Sequence, residues 1–138
     1  LQARLLTRDG ETRPYDLSGY RLDLELGPVL VGLGVDIARE TLRGEELIGR
    51  LGGEEFAVLL PETDTTGAIR AAERLRARLA DTPVVTGEGP LWFTASLGGA
   101  VLDGGGDTVE ALLRRADLAL YGAKQAGRNR VQLAAGGA

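Results

Sequence analysis

Residues 50–56 read Arg-Leu-Gly-Gly-Glu-Glu-Phe, and an apolar run from Ala57 to Leu60 follows at once. Two adjacent glycines, Gly52 and Gly53, between short apolar runs predict a hairpin turn, because a tight two-residue turn of the favoured hand needs positive φ at its central positions. The next two residues, Glu54 and Glu55, are the ones with chemistry to offer. A turn tip without side chains lets a nucleotide approach the backbone closely, and a following acid can hold the magnesium that accompanies its phosphates. The same residues also describe a plain turn with two solvated acids. Taken alone, the heptapeptide leaves both readings open.

Composition narrows the chemistry. The 138 residues include no cysteine and no histidine, so thiolate sites, disulfides and the usual general base are all excluded. A metal here must sit on oxygen ligands, which favours magnesium, manganese or calcium. Sixteen basic against twenty acidic residues give a net charge of −4, so no broad basic face for nucleic acid is expected. No apolar run reaches membrane-spanning length and no signal peptide is visible; with the lack of cysteine this suggests a reducing, cytoplasmic setting. A hydrophobic content of 43% predicts a packed core of about one domain. The chain contains no methionine, and we read it as a piece of something longer.

Periodicity then supplies the elements that must position the acids. Residues 3–7 and 15–24 read as strands on either side of an Asp9-Gly10 turn, and Val29 to Val35 as a buried strand after Gly27-Pro28. A short helix is expected from Ile37 to Glu46. Leu47 to Leu51 and Phe56 to Leu60 form the arms of the hairpin. Asp64 caps a helix whose face carries Ile69, Ala72, Leu75 and Leu79, and Asp81-Thr82-Pro83 stops it. Leu91 to Val101 reads as one strand. Asp107 and Glu110 form a capping box for a last helix with the apolar stripe Val109, Leu112, Leu113, Ala116, Ala119, Leu120 and Ala123. Gly127 ends that helix, and a short strand, Val131 to Leu133, closes the chain.

The heptapeptide resembles the signature of the GGDEF family, the diguanylate cyclases, in its GGEEF form. Three further blocks follow in family order: Pro61-Glu62-Thr63-Asp64, then Thr94-Ala95-Ser96-Leu97-Gly98-Gly99-Ala100, then Ala116-Asp117 through Lys124 with Gly127-Arg128-Asn129-Arg130. By this resemblance Glu54 is the metal ligand and Glu55 a second ligand or a substrate contact. Gly52 and Gly53 admit the guanine nucleotide, and Lys124 and Arg128 grip its triphosphate. Cations near a helix C-terminus are favoured by the helix dipole in any case. Arg43 and Glu46 fall on the family's Arg-x-x-Asp inhibitory product site, and Arg74 matches an arginine that completes such a site from a partner subunit. A glutamate in the aspartate position departs from the pattern, and a plain Arg43–Glu46 surface pair is the other reading.

The resemblance covers about Leu42 to Leu133, the second half of a family domain. Family members carry an earlier strand ending in Asp-x-Asp-x-Phe-Lys, followed by Asn-Asp, which supplies the other magnesium carboxylate and reads guanine; we find no such run here. Residues 1–37 instead resemble the last strands of a PAS sensor domain, through Thr7-Arg8-Asp9-Gly10-Glu11, Arg13-Pro14-Tyr15, Ser18-Gly19 and Gly32 to Ile37. The expected organisation is PAS-like strands over 1–41 and the C-terminal part of a GGDEF domain over 42–138. The fold class is α+β: an incomplete cyclase-type sheet with helices on it, preceded by an antiparallel β segment. Val29 to Val35 would fill the vacant central slot antiparallel to Phe56 to Leu60, bringing Asp36 towards Glu54 as a surrogate metal ligand; the alternative is that Asp36 simply caps the helix after it.

The activity implied is condensation of two GTP into cyclic di-GMP and pyrophosphate by a homodimer with magnesium or manganese, impaired by the absent segment. The competing readings are a non-catalytic nucleotide-binding or dimerisation remnant and an inactive fusion product.

Overall fold

The computed structural model describes residues 4–6, 12–14, 17–24, 37–52, 55–87, 89–102 and 108–135. The hairpin is the local starting point. Strand β4 (Leu47–Gly52) pairs antiparallel with β5 (Glu55–Pro61), from Leu47 opposite Leu59 to Gly52 opposite Glu55, with an irregularity between Arg50 and Gly52. The closing pair is therefore Gly52–Glu55, one residue further along than the Gly-Gly tip expected from sequence. Gly53 and Glu54 lie outside the described residues.

The slot beside β5 is filled, but not by Val29 to Val35. Strand β3 (Leu17–Leu24) occupies it, antiparallel to β5 on one side and to β8 (Ala95–Val101) on the other. Strand β9 (Val131–Leu133) then adds to β8 in parallel, giving a five-stranded sheet in the order β4-β5-β3-β8-β9. The central strand of the sheet is thus drawn from the segment read as PAS-like. The expected hairpin about Asp9-Gly10 also changes partner: β1 (Arg4–Leu6) pairs with β2 (Thr12–Pro14) as a separate two-stranded sheet, and β3 leaves them for the main one. Val29 to Val35 and Asp36 lie outside the described residues.

Helices cover both faces, as a strand buried on both sides requires. Six of the seven residues of β8 are buried. Helix α1 (37–41) tucks Ala38 against the core. Helix α2 (Thr65–Asp81) starts at Asp64, whose Oδ1 accepts the Gly67 N–H at 2.8 Å, as its sequence predicts. Its buried stripe is Ala68, Ala71, Ala72, Leu75 and Leu79; Ile69, expected in that stripe, is exposed. The stripe packs with Phe56, Val58 and Leu60 of β5 and with Ala95 and Leu97 of β8.

Alternation sends Leu59 and Ala100 to the other cluster, with Leu112 and Ala116 of helix α3 (Val109–Gln125). Thr108 caps α3, its Oγ1 accepting the Ala111 N–H at 3.1 Å, in place of the expected Asp107. The close approach of α3 to β8 is set by Gly98, where a Cβ would collide with the backbone of Ala116 and Leu120. The single strand expected over Leu91 to Val101 is two elements. Strands β6 (Val84–Thr86) and β7 (Gly89–Leu91) form a small hairpin, and β8 begins only at Ala95.

Candidate active site at one end of the sheet

The registers bring three separate segments to the same end of the sheet. The hairpin closes at Glu55, Glu55 pairs with Asp23 of β3, and Asp23 pairs with Ser96 of β8. One residue on, Leu97 pairs with Val131, and the Leu97 N–H donates to the Arg130 carbonyl at 3.0 Å. The turn of the hairpin, the end of the central strand, the start of β8 and the loop from α3 into β9 therefore form one rim.

Sequence reasoning missed Asp23. Its signal was present: Asp23-Leu24-Glu25-Leu26 keeps the acid-apolar-acid-apolar alternation of the family segment, at the end of a strand that alternates Tyr20, Leu22, Leu24. Pairing this strand with its sequence neighbours hid that position. In the ladder Asp23 and Glu55 hold facing register positions. Like charges directly opposite one another destabilise an antiparallel pair. Two hard oxygen donors at facing positions suit a cation such as magnesium or manganese, and Glu54 adjoins Glu55 in sequence. Among the described residues no group of three or more acids, histidines or cysteines is placed to hold a metal, and Glu54 is outside that set.

The other side of the rim is cationic. Lys124, half-buried, lies in the last turn of α3, where the helix dipole favours a cation. Beyond the cap at Ala126, the chain holds three consecutive residues in the left-handed region: Gly127 (φ 117°), Arg128 (63°) and Asn129 (45°). Gly127 is the expected C′ glycine. The Arg128 N–H reaches the Ala123 carbonyl at 3.0 Å, and Gly127 N–H the Lys124 carbonyl at 3.3 Å. Arg130 Nε donates to the Arg128 carbonyl at 3.2 Å. Asn129 Oδ1 accepts from Arg76 Nη1 of α2 at 3.0 Å.

Arg43, Glu46 and Arg74 are brought together, but at the opposite end of β4. Five strand steps of about 3.3 Å separate Leu47 from Gly52, so the two places are roughly 17 Å apart along the strand. Glu46 Oε2 accepts the Arg43 main-chain N–H at 2.7 Å, and Arg74 Nη2 donates to Oε1 and Oε2 at 3.2 and 2.9 Å. The expected Arg43–Glu46 contact thus forms through Arg43's main chain, and the guanidinium on Glu46 is that of Arg74 in the same chain. Arg74 Nε is buried without a hydrogen-bond partner among the described residues.

Comparison with known proteins follows the same outline. A family model described as "Diguanylate cyclase, GGDEF domain" matches residues 29–130. The chain is 42% identical over 108 residues to the response regulator PleD of Caulobacter vibrioides, covering 72% of this chain and 24% of that protein. It is 45% identical over 96 residues to the diguanylate cyclase DgcP of Pseudomonas aeruginosa, covering 70% of this chain and 14% of DgcP. It thus spans a quarter or less of either relative. The structure of the active GGEEF domain of a diguanylate cyclase from Vibrio cholerae superposes with a TM-score of 0.78 at 26% identity, covering 88% of this chain and 84% of that one.

Proposed function

The chain belongs to the GGDEF family of diguanylate cyclase domains, and on that premise we propose that the rim built from Asp23, Glu55, Lys124 and Arg128 is one half-site for joining two GTP into cyclic di-GMP and pyrophosphate. The observation that carries this reading is the register pair Asp23–Glu55 at the mouth of the GGEEF hairpin. Asp23 would be the second carboxylate that the sequence alone left without a source.

Each part of the rim has a task in that reaction. Asp23, Glu55 and the adjoining Glu54 would hold magnesium or manganese, whose contribution is to polarise the phosphate and lower the pKa of the attacking 3′-hydroxyl. Gly52, which closes the ladder, and Gly53 next to it in sequence carry no side chain, which would leave room for guanosine to lie against the backbone there. Lys124 offsets triphosphate charge as a point cation, and the Arg128 guanidinium adds a planar donor fork. One chain orients one GTP. A second copy, facing the first, presents the phosphate that the 3′-hydroxyl attacks, so homodimerisation belongs to the chemistry.

Guanine reading is where this chain departs from the family pattern. Asn129 is its one asparagine, so no Asn-Asp pair precedes the hairpin. Metal-dependent GTP binding with slow cyclic di-GMP formation is therefore expected, and the second reading, a nucleotide-binding module without turnover, rests on that same departure. The PAS-like reading is proposed for the residues ahead of β3, where, among the described residues, β1 and β2 pair with each other. Incubation with GTP and magnesium, followed by chromatography for cyclic di-GMP and by calorimetric titration with a non-hydrolysable GTP analogue, tests this. Metal-dependent binding with slow product formation is expected; absence of metal-dependent binding overturns the assignment.

A further inference from the structure

Arg128 and Asn129 follow Gly127 through the left-handed region. Glycine enters that region without strain and asparagine tolerates it, but arginine has neither advantage. A strained backbone of this kind persists only where surrounding contacts over-determine it. The hydrogen bonds from Arg128 N–H to the Ala123 carbonyl and from the Arg130 side chain to the Arg128 carbonyl are local, spanning five residues or fewer. The contact to Asn129 comes from much further away.

It is Arg76, on α2 and 53 positions upstream, whose Nη1 donates to Asn129 Oδ1 at 3.0 Å. The same guanidinium is aimed by a second acceptor: Nε donates to Glu73 Oε2 at 2.8 Å, one turn earlier on α2. A planar guanidinium held at Nε has the direction of its Nη donors fixed as well. The Arg76 side chain is only 24% exposed, which limits competition from water. Helix α2, which carries none of the proposed substrate ligands, thus reaches across to the loop that carries one.

Resting on the proposed function of Arg128, we infer that Arg76 is a positioning residue for the phosphate-binding loop, holding Arg128–Asn129 in the left-handed conformation from which Arg128 meets the triphosphate. Glu73 aims Arg76, Arg76 pins Asn129, and the backbone at Asn129 sets the direction in which its neighbour Arg128 leaves the chain. A lysine at position 76 gathers its three N–H donors on one nitrogen at the end of a flexible stem, and so does not reproduce the fork by which Nε meets Glu73 and Nη1 meets Asn129.

The test compares the parent with Arg76→Ala, Arg76→Lys and Asn129→Gly, the last removing Oδ1 while keeping the left-handed backbone unstrained. Calorimetry with magnesium measures binding of a non-hydrolysable GTP analogue and of GMP, and amide hydrogen exchange measures residues 127–130. Arg76→Ala and Arg76→Lys should weaken the triphosphate by roughly tenfold, the loss expected for a hydrogen bond involving a charged group, and leave GMP unchanged. Exchange at 127–130 should rise, and Arg76→Ala should add nothing in the Asn129→Gly background. Equal losses for GMP and the triphosphate, or unchanged exchange, overturn the inference. A parent that does not prefer the triphosphate to GMP overturns the phosphate role of Arg128 and the inference with it, whereas a parent that prefers it while Arg76→Ala matches it overturns Arg76 alone.

Discussion

The two ends of β4 treat charge in opposite ways. At its start, Glu46 takes the Arg74 guanidinium and the Arg43 main-chain N–H, so an acid and its donors are matched within one chain. At its finish, the ladder sets Asp23 against Glu55, acid facing acid. A fold selected for stability alone would not place like charges at facing positions of a central strand. The matched end is explained by structure. The mismatched end sets two oxygen donors at facing register positions, which suits a cation, and it is there that the family signature lies.

The comparison can be broken at both ends together through their common support. Gly98→Val should have the largest effect, because its side chain would push α3 away from β8 at Ala116 and Leu120. Overpacking costs of this kind run to about 1–3 kcal/mol, and here rigid backbone opposes relief, so loss of cooperative melting or insoluble expression is expected. A variant that melts at the parent temperature would show that α3 is seated otherwise.

The acidic end should respond in the opposite sense to the matched one. Asp23→Asn and Glu55→Gln remove one of two facing charges, so without metal each variant should melt at or slightly above the parent temperature. Added magnesium should raise the parent's melting temperature and raise the variants' much less, since a ligand stabilises only the state that binds it. GTP turnover in both variants should fall by about a hundredfold or more, the scale on which a lost electrostatic group acts in catalysis. Equal magnesium protection in parent and Asp23→Asn would detach Asp23 from the metal.

Glu46→Ala sharpens the contrast with the smallest change. It leaves the partly buried Arg74 without its carboxylate and should cost about 1–3 kcal/mol in urea unfolding. Magnesium-dependent GTP binding should stay as in the parent. A shift in metal affinity would mean that the two ends of β4 are coupled.

How much of this was legible follows the distance over which each element is defined. The β4–β5 hairpin, the Asp64 cap and the α3 stripe from Leu112 to Ala123 are local patterns, and each was read from neighbouring residues. Ile69 was misplaced because a large apolar side chain outweighed the small alanines at 68, 71 and 72, although it is they that let α2 approach the sheet. Strand β6 is only three residues long and directly follows Pro83, too short for alternation to register. Strand β3 was recognised as a strand but given the wrong company, because both its partners lie far along the chain. Asp23 was lost with that register. Arg76 carried no signal at all, since a guanidinium three positions from a glutamate on a helix reads as a surface pair.

The position of β3 has a consequence for how the molecule comes together. Gly19 at its middle pairs with Leu59 on one side and Ala100 on the other, so neither neighbour exists when the strand leaves the ribosome. Each pairing closes a long loop, and the entropy of closure must be met before the ladder returns anything. The hairpin β4–β5 and the two long helices need no such wait. Synthesis and assembly therefore run in opposite directions here: the strand made ahead of the rest of the sheet is the one that completes it.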